Sequence, residues 1–177
     1  PAGESQIDAQ TIARIRSLGY VGGNVVDDFS FDQTKEDPKD LLEYHLLNDR
    51  SAFCLMTGRY EQTEKIAEEM IQQRPDSFVG YERLGSAALR LGDHSKAIIY
   101  LQKAIEICPP TSGAADIYNN RGLAYAGKGD FERAILDFEQ AIELDPTYAK
   151  AYNNRGIIHV KNNALDPAVR DFDKAIE

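Results

Sequence analysis

Tyr118-Asn119-Asn120-Arg121-Gly122 returns, a step of 34 further on, as Tyr152-Asn153-Asn154-Arg155-Gly156. The first copy runs on through Tyr125, Gly129, Ala134-x3-Phe138 and Ala141 to Pro146, and the second through Ala168-x3-Phe172 to Ala175. An earlier copy reads Tyr81-x2-Leu84-Gly85, then Gly92, Ala97 and Pro109. Gly58 and Pro75 stand one such step before Gly92 and Pro109 and mark a fainter first copy, while the steps from Gly92 to Gly129 and Pro109 to Pro146 are 37. Aromatic, small and proline marks in fixed order at this period predict antiparallel helix pairs. Neither helix of a pair buries its apolar face alone, so the pairs must stack.

Each mark has a physical task. Gly85, Gly122 and Gly156 are small where the first helix of a pair crosses the second, and Ala97, Ala134 and Ala168 do the same from the opposing helix. Ala104, Ala141 and Ala175 leave room for the next pair. Tyr81, Tyr118, Tyr152, Phe138 and Phe172 fill the spaces between layers, each burying about 150–250 Å². Gly92 and Gly129 supply the left-handed turn after the first helix.

The phase divides the chain into an N-terminal arm (1–36), a degenerate first repeat (37–77), a second (78–111), an inter-repeat insertion (112–114), a third (115–148) and a truncated fourth (149–177). In the arm, Ser5-x-x-Asp8 predicts a capping box for a short helix over about 6–18, followed by an extended segment through Val25–Phe31. Asp37 and Pro38 open the first repeat as N-cap and first turn. Its helices are expected up to about Met56 and from about Tyr60 to Gln73, with Leu47, Arg50, Ser51 and Cys54 standing in for the usual aromatic, leucine, glycine and tyrosine. Asp166-Pro167 is expected to cap and begin the last helix.

Lys and Arg number 20 against 29 Asp and Glu, a net charge of −9, which argues against binding a nucleic-acid backbone. No apolar run approaches the roughly 20 residues of a membrane span. Cys54 and Cys108 lie in different layers and read as two separate thiols. His45, His94 and His159 are single, and no metal, phosphate-cradle or nucleophile motif is present, so neither an enzyme site nor a cofactor is expected. Glu64, Glu68, Glu69, Glu139 and Glu143 read as solvated helix faces.

The pattern Y-x2-[L/R]-G…A-x3-F…A…P resembles the tetratricopeptide repeat (TPR) family. That resemblance implies an all-α, right-handed superhelix whose concave face binds a peptide or partner protein. In the family, residues one turn ahead of the glycine project into the groove. By that resemblance Asn48, Glu82, Asn119 and Asn153 face it, with Arg83, Asn120, Lys150 and Asn154 near its edge. One subgroup grips the terminal carboxylate of a chaperone with two lysines, two asparagines and an arginine. Those places read Glu82, Ser86, Asn120, Lys150 and Asn154 here, and Glu82 puts an anion where a cation is required.

Arg14 to Gly23, with the acidic Phe-rich stretch and Asp37-Pro38-Lys39-Asp40 after it, is similar to the tail of bacterial sulfatase-type hydrolases fused to such arrays. The similarity, over residues 12–40, implies the accessory module of an exported enzyme whose catalytic residues lie elsewhere. Starting at Pro1, the chain reads as a fragment of a longer protein. At the other end Phe172, Ala175 and Ile176 lie on a helix with nothing after it. Either the protein continues, or another molecule, including a second copy, covers this end.

Overall fold

The computed structural model describes residues 38–111 and 113–177. The arm, its capping box, Asp37 and Ser112 of the insertion lie outside the described residues. The chain divides into Pro1–Glu43 and Tyr44–Glu177. Of the first unit only the opening of a helix from Pro38 is described.

Among the described residues there are eight helices and no strand: α1 (Pro38–Met56), α2 (Tyr60–Gln73), α3 (Phe78–Leu91), α4 (His94–Ile107), α5 (Ala114–Gly127), α6 (Phe131–Leu144), α7 (Ala149–Lys161) and α8 (Leu165–Ile176). From α2 onward each helix packs on the next in sequence, and α3–α5 and α5–α7 also touch. Contacts between successive first helices put them on the inner side of the stack. The architecture is the all-α repeat superhelix that the period implies.

The turns inside the pairs explain the spacing of their marks. Gly58, Gly92 and Gly129 have φ of +77°, +82° and +79°, and Asn163 takes the same place in the fourth repeat at +58°. Asparagine is the side chain that tolerates this region best. Asp93 and Asp130 then cap the second helices, accepting from the amides of Lys96 at 3.0 Å and Arg133 at 3.2 Å. The last helix departs from the sequence expectation. It begins at Leu165 behind Ala164, which offers no side-chain cap, so Asp166 sits in the first turn and favours it through the helix dipole.

Inside a pair, the helices touch at the glycine. A Cβ on Gly122 would stand 2.7 Å from the Phe138 ring, and one on Gly156 2.8 Å from the Phe172 ring. Phe138 is completely buried, as are Ala97, Ala104, Ala134 and Ala141. In the first repeat Ser51 holds the glycine's place, fully buried, its hydroxyl donating to the Asn48 carbonyl at 2.7 Å. Cys54, buried, and Cys108, half-buried, are not joined in a disulfide.

Candidate functional site

The first helix of each pair carries its polar residues toward the inner side, and there they join into one line of hydrogen bonds. Asn154 Nδ2 donates to Asn119 Oδ1 at 2.8 Å, and Asn119 Nδ2 to Asn120 Oδ1 at 3.4 Å. Asn120 Nδ2 donates to Ser86 Oγ at 3.1 Å, and Ser86 in turn to Glu82 Oε1 at 2.7 Å. Arg83 reaches the same carboxylate from the other side, Nη1 to Glu82 Oε2 at 2.6 Å, while its Nη2 donates to Asn48 Oδ1 at 3.4 Å. The line crosses all four repeats. From Asn154 to Glu82 every bond points the same way, so the carboxylate polarises the amides behind it.

Arg83, Asn120 and Asn154 occupy one place in the repeat, and each donates to a residue of the preceding repeat. The resemblance placed them near the groove's edge; the structure makes them ties between neighbouring repeats. Asn48 and Glu82 belong to the same line. Asn119 is buried, only 3% exposed, because Asn154 of the next repeat closes over it. Asn153, in the equivalent place one repeat on, is exposed. Lys150 stands apart from the line at 74% exposure, 4.0 Å from Asp116. Asp116 also accepts from the Tyr148 hydroxyl. Burial first, then the neighbouring Asp116, Asp145 and Glu82 carboxylates, hold the Tyr148 phenol well above its usual range, so it stays a donor.

A second set of polar residues was legible in the sequence only as spacing. Arg121 forks onto Asp137, Nε to Oδ2 at 2.8 Å and Nη2 to Oδ1 at 2.5 Å. One repeat later Arg155 forks onto Asp171 in the same way, at 2.9 and 2.6 Å. Both aspartates are buried, so the pairs pin first helix to second. Burial pushes Asp137 up, against the pull of Arg121; burial is also the largest single influence on Arg121, pulling it down, but Asp137 together with Tyr125 and Tyr118 holds the guanidinium above its usual value. Two charge-assisted bonds at these distances describe an ion pair at neutral pH. Arg121 also donates to Gln102 of the preceding repeat, and Arg155 lies 3.9 Å from Glu139 there. Glu139 stays exposed, as expected of a solvated face, whereas Glu64, expected on such a face too, is half-buried and bound to Lys96 at 2.7 Å. His94 begins α4, and His159 lies 3.8 Å from Asp171.

Among the described residues no group of three or more His, Cys, Asp or Glu side chains could hold a metal ion, and no helix is long and apolar enough to cross a membrane.

Family models described as tetratricopeptide repeat match residues 80–111, 115–148 and 138–177. The chain belongs to the tetratricopeptide repeat family. It is 27% identical over 142 residues to tetratricopeptide repeat protein 6 of Homo sapiens, covering 75% of this chain and 26% of that protein. It is 41% identical over 68 residues to the heat-shock protein cognate co-chaperone sgt12 of Aspergillus fumigatus, 38% of this chain and 19% of the relative. The chain thus spans about a quarter or less of the curated relatives it matches first. Among solved structures, MamA superposes at a TM-score of 0.66 with 22% identity, over 97% of this chain and 94% of that one. TTC0263, a TPR protein of Thermus thermophilus, gives 0.67 with 21% identity, over 75% and 72%. Those two likenesses concern the fold. The stacked pairs of this TPR chain present an inner face lined by the residues just described.

Proposed function

We propose that the inner face binds an extended peptide segment of a partner protein, laid across α1, α3, α5 and α7, without chemistry of its own. The observation that carries this reading is the line of amide and hydroxyl groups from Asn154 to Asn48. Bonding among themselves fixes these side chains before a ligand arrives, so less freedom is lost on binding. The half-buried amides of Asn120 and Asn154 still have a second N–H or lone pair to offer a peptide backbone, while Asn119, buried beneath Asn154, holds the line in place. Asn153 and Lys150, exposed beside the line, supply the contacts not used within the fold. Ile157, 41% exposed one turn further along α7, adds an apolar one.

Glu82 bears on the ligand's chemistry. Its carboxylate is occupied by Arg83 and Ser86, and it stands where a carboxylate-gripping array needs a cation. The proposed ligand is therefore held by its backbone and uncharged groups rather than by a terminal carboxylate. Selection from a random peptide library, followed by affinity measurement, tests this. Asn153→Ala with Asn154→Ala is expected to weaken the selected peptide about tenfold, the worth of one or two hydrogen bonds. Equal affinity for the altered protein would move the site off this face.

A second reading concerns self-association through α8, which exposes Leu165, Val169 and Ile176 on one side. A patch of this kind commonly marks an interaction surface. The similarity of residues 12–40 to a sulfatase-type tail would make the array an accessory module of a larger hydrolase. The reading frame upstream of Pro1 decides that point.

A further inference from the structure

Two of the three junctions between repeats share one polar key; the first has Leu84 where the others have arginine. At the second junction Arg121 donates to Gln102 of the preceding repeat, and at the third Arg155 faces Glu139. Gln102 and Glu139 occupy one place on the second helices, and the next residue in that series is Asp173, exposed on α8. Arg121 and Arg155 occupy one place on the first helices, and the corresponding residue of the first repeat is Arg50, exposed on α1. Among the described residues, Asp173 has no arginine opposite it and Arg50 has no acceptor opposite it.

The apolar groups around the key follow the same rule. Ile98 and Ile135 pack into the core, yet Val169 in their place is 58% exposed. Ile105 and Ile142 are packed likewise, yet Ile176 in theirs is 85% exposed. On the opposite face Leu46 takes the place of the buried Ile117 and Ala151, and Phe53 that of the buried Ala124 and Ile158; Leu46 is 49% and Phe53 58% exposed. Ile117 and Ile158 show that branched side chains fit at both places.

We propose that this chain stacks head to tail on a second copy of itself, the outer face of α8 covering the open face of α1, with Asp173 receiving Arg50 across the junction. The proposal rests on the self-association reading and fixes its geometry. The two halves are of opposite charge and complete an interface that the chain already builds internally. Because the two faces differ, the contact is heterologous and propagates into short rows rather than closing as a symmetric dimer.

Sedimentation velocity on the 177-residue chain, from about 10 µM to about 0.5 mM, is expected to show a mean mass rising with concentration. Arg50→Glu alone and Asp173→Arg alone each place like charges at the junction and should weaken association about tenfold or more. Both residues are exposed, so far-UV circular dichroism should be unchanged. An equimolar mixture of the two variants pairs Glu with Arg at one junction and Arg with Asp at the other, and association should return. Association that ignores Arg50→Glu but is lost with Asp173→Arg means a tail-to-tail contact; it overturns the head-to-tail arrangement and leaves self-association standing. A mixture that fails to recover overturns the register. A monomer at every concentration overturns both readings.

Discussion

The first and fourth repeats wrap the same helix pair around different interiors. In the fourth, Gly156 lets the Phe172 ring reach the first helix, and Arg155 forks across to the buried Asp171. In the first, Ser51 and Ala67 stand where Gly156 and Phe172 stand, and Ile66 replaces the aspartate. The buried hydroxyls of Ser51 and Thr63 bond to carbonyls of their own surroundings, Asn48 at 2.7 Å and Arg59 at 3.2 Å. Arg50, lacking a carboxylate opposite, turns out to solvent. Both solutions satisfy every buried group named here. In the fourth repeat the Arg155–Asp171 pair ties one helix to the other by charge; in the first, Arg50 and Ile66 hold the same places without such a tie. The pair fold thus needs a small residue at the crossing and a left-handed turn, while the ion pair is one of several fillings.

The largest test removes that tie. Asp171→Ala strands Arg155, only 19% exposed at its side chain, and is expected to cost about 3–5 kcal/mol in urea unfolding. The second repeat holds Leu84 and Tyr100 at these two places. Arg155→Leu with Asp171→Tyr should therefore recover most of the loss; a double variant as unstable as the single would mean that the ion pair has no apolar substitute. Next comes the crossing itself. Gly122→Leu drives a side chain into Phe138 and should cost at least about 1–3 kcal/mol, whereas Ser51→Gly loses only one hydrogen bond, about 1 kcal/mol. Equal melting temperatures for Gly122→Leu and the unaltered protein would count against the register.

The turn gives a smaller effect. Asn163→Ala places a Cβ at φ +58° without a side-chain amide to help and should lose about 1 kcal/mol, while Asn163→Gly should lose none. Thermal melts of the two variants separate backbone strain from loss of the side chain. The smallest effect belongs to the first repeat. Burial, aided by Arg74 and opposed by Asp49, lowers the His45 pKa. The unfolded chain then takes up the proton first, so stability is full above about pH 6.5 and falls as pH drops from there through the folded value. His45→Gln should flatten that part of the slope in urea midpoints measured between about pH 7 and 5.5; an unaltered slope would place the titration elsewhere.

Helix limits were legible because they depend on local chemistry. Gly58 marks the turn inside the first pair and Pro75 its end, and Met56, Tyr60 and Gln73 are the helix ends observed. The last helix began earlier than its sequence suggested because Ala164, not Asp166, precedes it, and a helix held by tertiary packing does not require a side-chain cap. The polar residues of the inner face were legible as a set but not in their roles. Asn119 and Asn153 share a phrase and a phase, yet one is buried and the other exposed. Asn154 of the following repeat closes over Asn119, whereas no described repeat follows Asn153. The Arg121–Asp137 and Arg155–Asp171 pairs left a visible trace, since each recurs at the repeat period, but a period does not say that the two members of a pair will face each other.

By itself the sequence determined the repeat: its length, its turns, its crossings and the all-α stack, because these follow from backbone geometry and side-chain volume at fixed intervals. Tertiary structure alone decided which amides are spent on one another and which remain open to a partner. Hydrogen bonds between repeats depend on the distance between side chains a full repeat apart in the chain, and that distance exists only once the pairs have stacked.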